Sequence, residues 1–464
     1  MDGFSRELLE RLPLAEAAWV LMRHAAGPEM LNELFERHRG SCYEDKISFD
    51  LLVELVHAAL VVHGGSGRRS FAQARGDERL DASNQAVYGK LRRLPIGVSE
   101  ALLAQTSLRL HEIQPAQTTR ELPACVRDFQ VLHVDGKKIK RLAKRLAPLR
   151  SVKGSLLGGK ILVALEGRSG IALAMAASPN GEANDAPLVP GLVSQIRSLP
   201  DASAHRRLWV ADRQFSDLTI PAHFAQENDA FLIRHSKKLG FHANPERPAQ
   251  STTDARGRRI RDEWGWIGRA SDPRRRAVRR ITLERPGSES ISVLTNLVEV
   301  ERFSAADLLA VYGERWEIEK VFQQVTEVFA LQHLIGSSPE AAVFQAGFCL
   351  LLYNLVQTLR SYVAQESRRS PRTISSELLF RDVQGQLVCW RQLGPAQLPS
   401  RILEQPDDVA FVCTRLRELL HDSWRETWQK SPPKKSTRPP HQTPVPGGHS
   451  SAWKLLQASQ QNNR

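Results

Sequence analysis

Apolar residues change their period twice along this chain. Leu8, Leu9, Leu12 and Leu14, and later Leu51, Leu52, Leu55 and Val56, recur at helical spacing, so residues 1–120 read as a helical region. Within it, Ser83 precedes a basic run through Lys90, Arg92 and Arg93 that stops at Pro95. An N-cap, a helix and a proline stop are predicted there. That helix either lies on a polyanion or is a surface helix with solvated charges. From Phe129 the runs become short and continuous. Phe129–Val134 is a strand ending at Asp135 and Gly136, Lys160–Leu165 and Ile171–Ala176 are two more, and Leu208–Ala211 ends at Asp212. Helices near 186–197 and 220–227 and a strand at 230–234 complete the series. The order predicts a mixed α/β fold, a mixed sheet flanked by helices, with its first part over 121–235.

Between 236 and 303 the pattern breaks into short β-prone pieces among Pro, Gly and Arg, which reads as a β-rich insertion. Ser304-Ala305-Ala306-Asp307 then starts a helix, with Asp307 in its first turn. Residues 304–370 form the last part of the core, and 371–430 a helical C-terminal region. The tail 431–464, rich in Pro, Lys, Gln and Ser, reads as basic and disordered.

The formal net charge of +13 favours a polyanionic partner, and clustered Lys and Arg favour nucleic acid over a membrane. Five scattered cysteines with no C-x-x-C pair argue against a zinc site or a disulfide framework. The start lacks an apolar signal stretch, and the most apolar helix, 341–356, is short for a span and holds Gln345 and Asn354. A soluble, cytoplasmic protein is expected. No phosphate-binding loop, dinucleotide fingerprint or nucleophile elbow is present. His133, His235 and His333 have no partners at metal-ligand spacing.

The chemistry concentrates in Tyr312-Gly313-Glu314-Arg315-Trp316-Glu317-Ile318-Glu319. On one helix, Tyr312, Arg315 and Glu319 share a face. A carboxylate trio of Asp135, Asp212 and Glu319 would suit Mg²⁺, a hard cation that takes oxygen ligands. Val134-Asp135-Gly136-Lys137, Ala211-Asp212-Arg213-Gln214-Phe215 and the Tyr312–Glu319 stretch resemble the three acidic motifs of DDE transposases of bacterial insertion sequences. More narrowly they resemble the YREK-signature insertion-sequence-four family. The resemblance covers roughly 75–360, with Gly181–Pro187, Leu294–Leu297 and Tyr353–Leu355 as supporting runs. It departs where the signature lysine falls, seven residues after the glutamate, because that position is Thr326.

The resemblance implies an RNase H-like catalytic core interrupted by a β-rich insertion, in a nucleoid-associated bacterial protein. It implies that Asp135, Asp212 and Glu319 hold two Mg²⁺ ions, with Mn²⁺ able to substitute, and that Tyr312 and Arg315 grip phosphates. Its partner would be double-stranded DNA, as transposon ends and target, bound by a homodimer. The expected activity is cleavage at terminal inverted repeats followed by transfer of the 3′-hydroxyl strand into target DNA. A metal-dependent nuclease on the same core, or a DNA-binding regulator that no longer cuts, are the alternatives. For Arg315 the competing reading is an i,i+4 ion pair with Glu319.

Lys137, Lys138 and Arg213, beside the aspartates, are further phosphate-binding candidates. The Arg256–Arg261 and Arg274–Arg280 clusters are dense enough to suggest salt-sensitive DNA affinity. Trp264, with Trp266 two residues on, either stacks on a flipped base or forms the insertion's small core.

Overall fold

The computed structural model describes residues 3–115, 121–200, 206–394, 407–431 and 448–462. Helices α1 (Gly3–Glu10) to α7 (Ile96–Glu112) precede the first strand, with α6 at Asn84–Arg93. Ser83 caps α6, its hydroxyl accepting from the Ala86 N–H, which has no partner within the helix's first turn.

The sheet follows from the apolar runs. Strands β1 (Phe129–Leu142), β2 (Ser155–Glu166) and β3 (Ala172–Ser178) are antiparallel, β1 to β2 and β2 to β3. β4 (Arg206–Ala211) lies parallel to β1, and β5 (Ala230–Arg234) parallel to β4. The spatial order is therefore β3-β2-β1-β4-β5, the RNase H-like core that was expected. α8 (Val189–Arg197) and α9 (Ile220–Phe224) cover one face, where Leu132, Val134, Trp209, Ala211 and Phe231 are buried.

Three differences from the sequence reading matter. β1 does not stop at Asp135 and Gly136 but continues to Leu142, because β2 pairs with it as far as Leu142. Only its pairing with β4 ends, at Val134 and Ala211. The 236–303 segment forms β6 (Phe241–Ala243), β7 (Gln250–Thr253), β8 (Arg259–Ile267), β9 (Arg276–Leu283) and β10 (Ile291–Thr295). These do not stand apart: β10 pairs antiparallel with β5 and carries the sheet onward through β9 and β8. The edge of β5 is thereby closed, as an unpaired edge would otherwise be an aggregation hazard. Thirdly, the tail read as disordered includes β11 (His449–Ser451), parallel to β2, and a helix at Ala452–Asn462; residues 432–447 lie outside the described residues.

Two helices close the core: α10 (Ala305–Gly313) and α11 (Trp316–Glu327). α12 (Pro339–Glu366) is long and apolar enough to cross a membrane by length and composition, yet its most apolar window is wholly buried inside the fold. Asn354 explains how an amide sits there. Its Oδ1 accepts from the Ala172 N–H and its Nδ2 donates to the Ala172 carbonyl, both at 2.9 Å, so the side chain pairs with the end of β3 as a strand would. Tyr353 donates its hydroxyl to the Gly170 carbonyl at the same turn. These bonds satisfy buried polar groups that would otherwise cost ~1–3 kcal/mol each. α13 (Ser376–Leu393) and a helix at Val409–Leu420 pack beyond α12.

Candidate active site

Strand alternation and register bring the two aspartates together. The last parallel pair between β1 and β4 is Val134 with Ala211, so Asp135 and Asp212 are the next residues on neighbouring strands. Adjacent strands run about 4.8 Å apart. Asp212 shares a face with Leu208 and Val210, and Asp135 with Val131, and these apolar neighbours lie in one cluster with Tyr312. Asp212 is extended and accepts the Gln214 N–H at 2.7 Å, which fixes its carboxylate at the strand's end. Asp135 accepts its neighbouring Gly136 N–H at 2.8 Å.

Glu319 arrives from the first turn of α11. The predicted single helix from Tyr312 to Glu319 is instead two helices meeting at Glu314 and Arg315, where the Arg315 N–H turns back to the Tyr312 carbonyl. Gly313, the last residue of α10, is a weak helix former at the break. Arg315 still reaches Glu319. Its Nη2 donates to Glu319 Oε1 at 2.8 Å, and its Nη1 stands 3.4 Å from Asp135 Oδ2. Arg315 is 7% exposed, and its guanidinium bridges two of the three acids.

Electrostatics records the crowding. Burial pushes Asp135 up to about 6; the Gly136 N–H and Arg315 pull the other way, while Asp212 and Glu319 add repulsion. Burial likewise raises the Tyr312 phenol, against Arg315. For Arg315, burial opposes the charge, but Tyr312, Glu319 and Asp135 together hold it above its ordinary value. Two carboxylates thus share one cation, with Asp212 adding its negative charge beside Asp135.

Residues 128–355 match the family described as the transposase DDE domain. The matched stretch, just under half of the chain, is similar to a DDE transposase domain. It spans Asp135, Asp212, Tyr312, Arg315 and Glu319 alike. The chain matches no curated protein. Among solved structures it is similar to a piggyBac transposase synaptic complex with hairpin DNA, with TM-score 0.34 and 11% identity, over 90% of this chain and 78% of that one.

Among the described residues, no three His, Cys, Asp or Glu side chains stand close enough to hold one metal ion. At the acids, the Arg315 guanidinium lies between Asp135 and Glu319. The donor set nonetheless fits a hard divalent cation: all its ligating atoms are carboxylate oxygens, and one carboxyl is lifted by burial and by its negative neighbours. A cation would take the place the guanidinium holds here.

A fourth carboxylate was missed. Asp185 is 4% exposed, pairs with the equally buried Lys160 at 2.8 Å, and lies directly behind the first acid. A Cβ added to Gly136 would fall 1.9 Å from Asp185 Oδ1. The glycine after Asp135 is thus the space Asp185 occupies. Burial raises Asp185, Lys160 opposes it, and Asp212 repels it across the sheet. The one sequence signal was the Gly181–Pro187 run, which had no role attached.

The remaining candidates separate. Lys137 places its ammonium 5.4 Å from the Phe322 ring on α11, and burial lowers its pKa. Lys138 and Arg213 are exposed. Tyr312 is 5% exposed and so offers little of its ring to solvent. Trp264 is buried, with the Arg247 guanidinium 3.8 Å over its ring, as the core reading expects. The exposed aromatic beside Glu319 is Trp316, at 60% exposure. Thr326 turns its hydroxyl to the Phe322 carbonyl of its own helix. Lys320 pairs with Glu317. In α6, Lys90 is turned inward to the Tyr43 carbonyl, leaving Arg92 and Arg93 exposed.

Several arginines of the insertion's clusters are paired with carboxylates of the same segment. Arg279 pairs with Asp262, Arg261 and Arg280 with Glu263, Arg258 with Asp254, and Arg274 with Asp272.

Proposed function

We propose that this chain is a DNA transposase of the YREK-signature type, which cleaves phosphodiester bonds at terminal inverted repeats and joins the freed strand to target DNA. The observation that supports this is that Asp135 and Asp212 follow the last paired residues of neighbouring strands while Arg315 links Asp135 to Glu319, within the stretch that matches the transposase DDE domain. Two Mg²⁺ ions, or Mn²⁺ in their place, held by these carboxylates would stabilise the attacking and leaving oxygens of an in-line displacement. In the first step a water oxygen bonds to phosphorus, its proton is lost, and the bond from phosphorus to the element's 3′-oxygen breaks. In the second, that 3′-hydroxyl attacks a target phosphorus, and a 3′-oxygen of the target leaves. Neither step forms a protein–DNA bond.

Arg315, once released from Asp135 and Glu319, has the planar fork that matches two phosphate oxygens. Tyr312 lies next to it, and Lys137 brings an ammonium to the α11 face where the signature lysine is absent. The domain divisions 1–120, 121–235, 236–303, 304–370, 371–430 and 431–464, the homodimer and the cytoplasmic, nucleoid-associated setting belong to the same proposal.

A supercoiled plasmid bearing the element's ends provides the test. Wild type should nick it in Mg²⁺ and yield strand-transfer products, whereas Glu319→Gln should bind it without nicking. Nicking retained by Glu319→Gln, or a trapped covalent adduct, contradicts the proposal. Cutting without joining would indicate the nuclease. The non-cutting regulator is favoured by one observation, the self-bonded Thr326, and metal-dependent nicking would exclude it.

A further inference from the structure

A second feature opens at the strand ends beside Asp212. A cleft of about 730 Å³ lies where β4 and β5 finish. Arg213, Gln214, Arg234, Lys237, Lys238 and Glu289 are among its lining residues. Arg234 and Lys237 both reach the same carboxylate, Glu289, at 3.2 and 3.4 Å. Its pKa is held below the usual range by Lys237, then Arg234, with Arg213 adding to them. Several cations therefore converge on one exposed anion.

The rest of the lining narrows the ligand. It includes the hydroxyls and amides of Asn184, Ser216, Ser236 and Ser292 and the Asp185 carboxylate, which is paired with Lys160, with no Phe, Tyr or Trp. His235 is the one ring, and its Nε2 is bonded to the Leu239 carbonyl at 2.8 Å. Such walls offer charge and hydrogen bonds to phosphate and sugar, but no stacking face for a base. Ser290 and Ser292 also line a neighbouring hollow of about 530 Å³ with Arg261 and Arg280, both paired with Glu263, and with Glu284 and Arg285. The polar path thus continues onto the strands β8 to β10.

We propose that this cleft binds the sugar–phosphate backbone of DNA without regard to sequence, and that Glu289 is an internal anion which a phosphate group displaces. The inference rests on the transposase reading and deepens it. A sequence-blind track next to Asp212 suits DNA whose sequence changes from event to event, namely the target, rather than the element's fixed ends.

The test uses the full chain and a short random-sequence duplex, with affinity followed by fluorescence anisotropy across a salt series. Lys237→Gln/Lys238→Gln should weaken binding roughly tenfold at low salt, and should flatten the log–log salt slope by about 0.9 for each phosphate no longer neutralised. Glu289→Gln should move the other way and tighten binding several-fold, which a merely structural carboxylate would not do. Arg381→Gln, an exposed change on α13, controls for net charge. Unchanged affinity and slope in the lysine pair, or weaker binding by Glu289→Gln, overturns the proposal. Plasmid nicking measured alongside keeps the two claims apart: a wild type that binds duplex as described but never nicks refutes the transposase reading, not the cleft.

Discussion

The acid rim and the insertion are built from the same residue types and end in opposite states. In the insertion, Arg279 is fully buried, meets both oxygens of Asp262 at 2.8 and 2.6 Å, and donates to the Leu297 and Phe303 carbonyls. Both charges of this buried pair are matched, and the pair ties β8 to β9 and to the chain leading into α10. At the rim, one guanidinium serves two of three carboxylates, its Nε has no hydrogen-bond partner, and Asp135 is lifted to about 6. Matched charge holds a fold together; surplus charge, kept half-buried, is available to a ligand.

The contrast can be broken first where it is strongest. Arg279→Met would leave Asp262 buried without its counter-ion and should destabilise the fold by about 3–5 kcal/mol in urea unfolding. A loss under about 1 kcal/mol would mean the pair is not structural. Asp135→Asn should do the reverse at neutral pH. Because the folded-state carboxyl is raised from 3.8 to about 6, the folded chain binds more protons between those values. Stability from this group is therefore present at low pH and lost as pH rises through 6. Above pH 7, Asn should stabilise metal-free protein by up to roughly 3 kcal/mol, and near pH 4 by little. Destabilisation at pH 8 would sink the claim of surplus charge. A smaller effect sharpens the picture behind the rim: Gly136→Ala should cost about 1–3 kcal/mol by overpacking. Most of that cost should vanish in an Asp185→Ala background, and equal losses in both backgrounds would remove Asp185 as the cause.

Much of this was legible in the chain. The strands came from runs of apolar residues, since period and burial are local properties, while the RNase H-like arrangement and the roles of the three acids came from the family resemblance of the motifs at the strand ends. What pairing decides was not legible. β1 runs past Asp135 because β2 continues beside it, and the insertion joins the sheet because β5 has an edge to close. Nor could composition show which arginines are held internally. Arg279 and Arg213 look alike in sequence, and a carboxylate placed opposite by strand register separates them. Arg315 met its competing reading, the pair with Glu319, and added a second partner in Asp135 that no local spacing could indicate. Trp264 was open between two readings, and its burial follows from Arg247 covering its ring. Asp185 was hidden for the same kind of reason: only the fold brings it against Gly136.

The most direct measurement is a Mn²⁺ titration of metal-free protein, followed by the fall in free-ion signal in electron paramagnetic resonance. Wild type should bind the ion, and Asp135→Asn, Asp212→Asn and Glu319→Gln should each weaken binding by at least about tenfold, as expected when one ligand is removed from a shared site. Equal Mn²⁺ affinity in all four proteins would show that these three carboxylates do not act as one site.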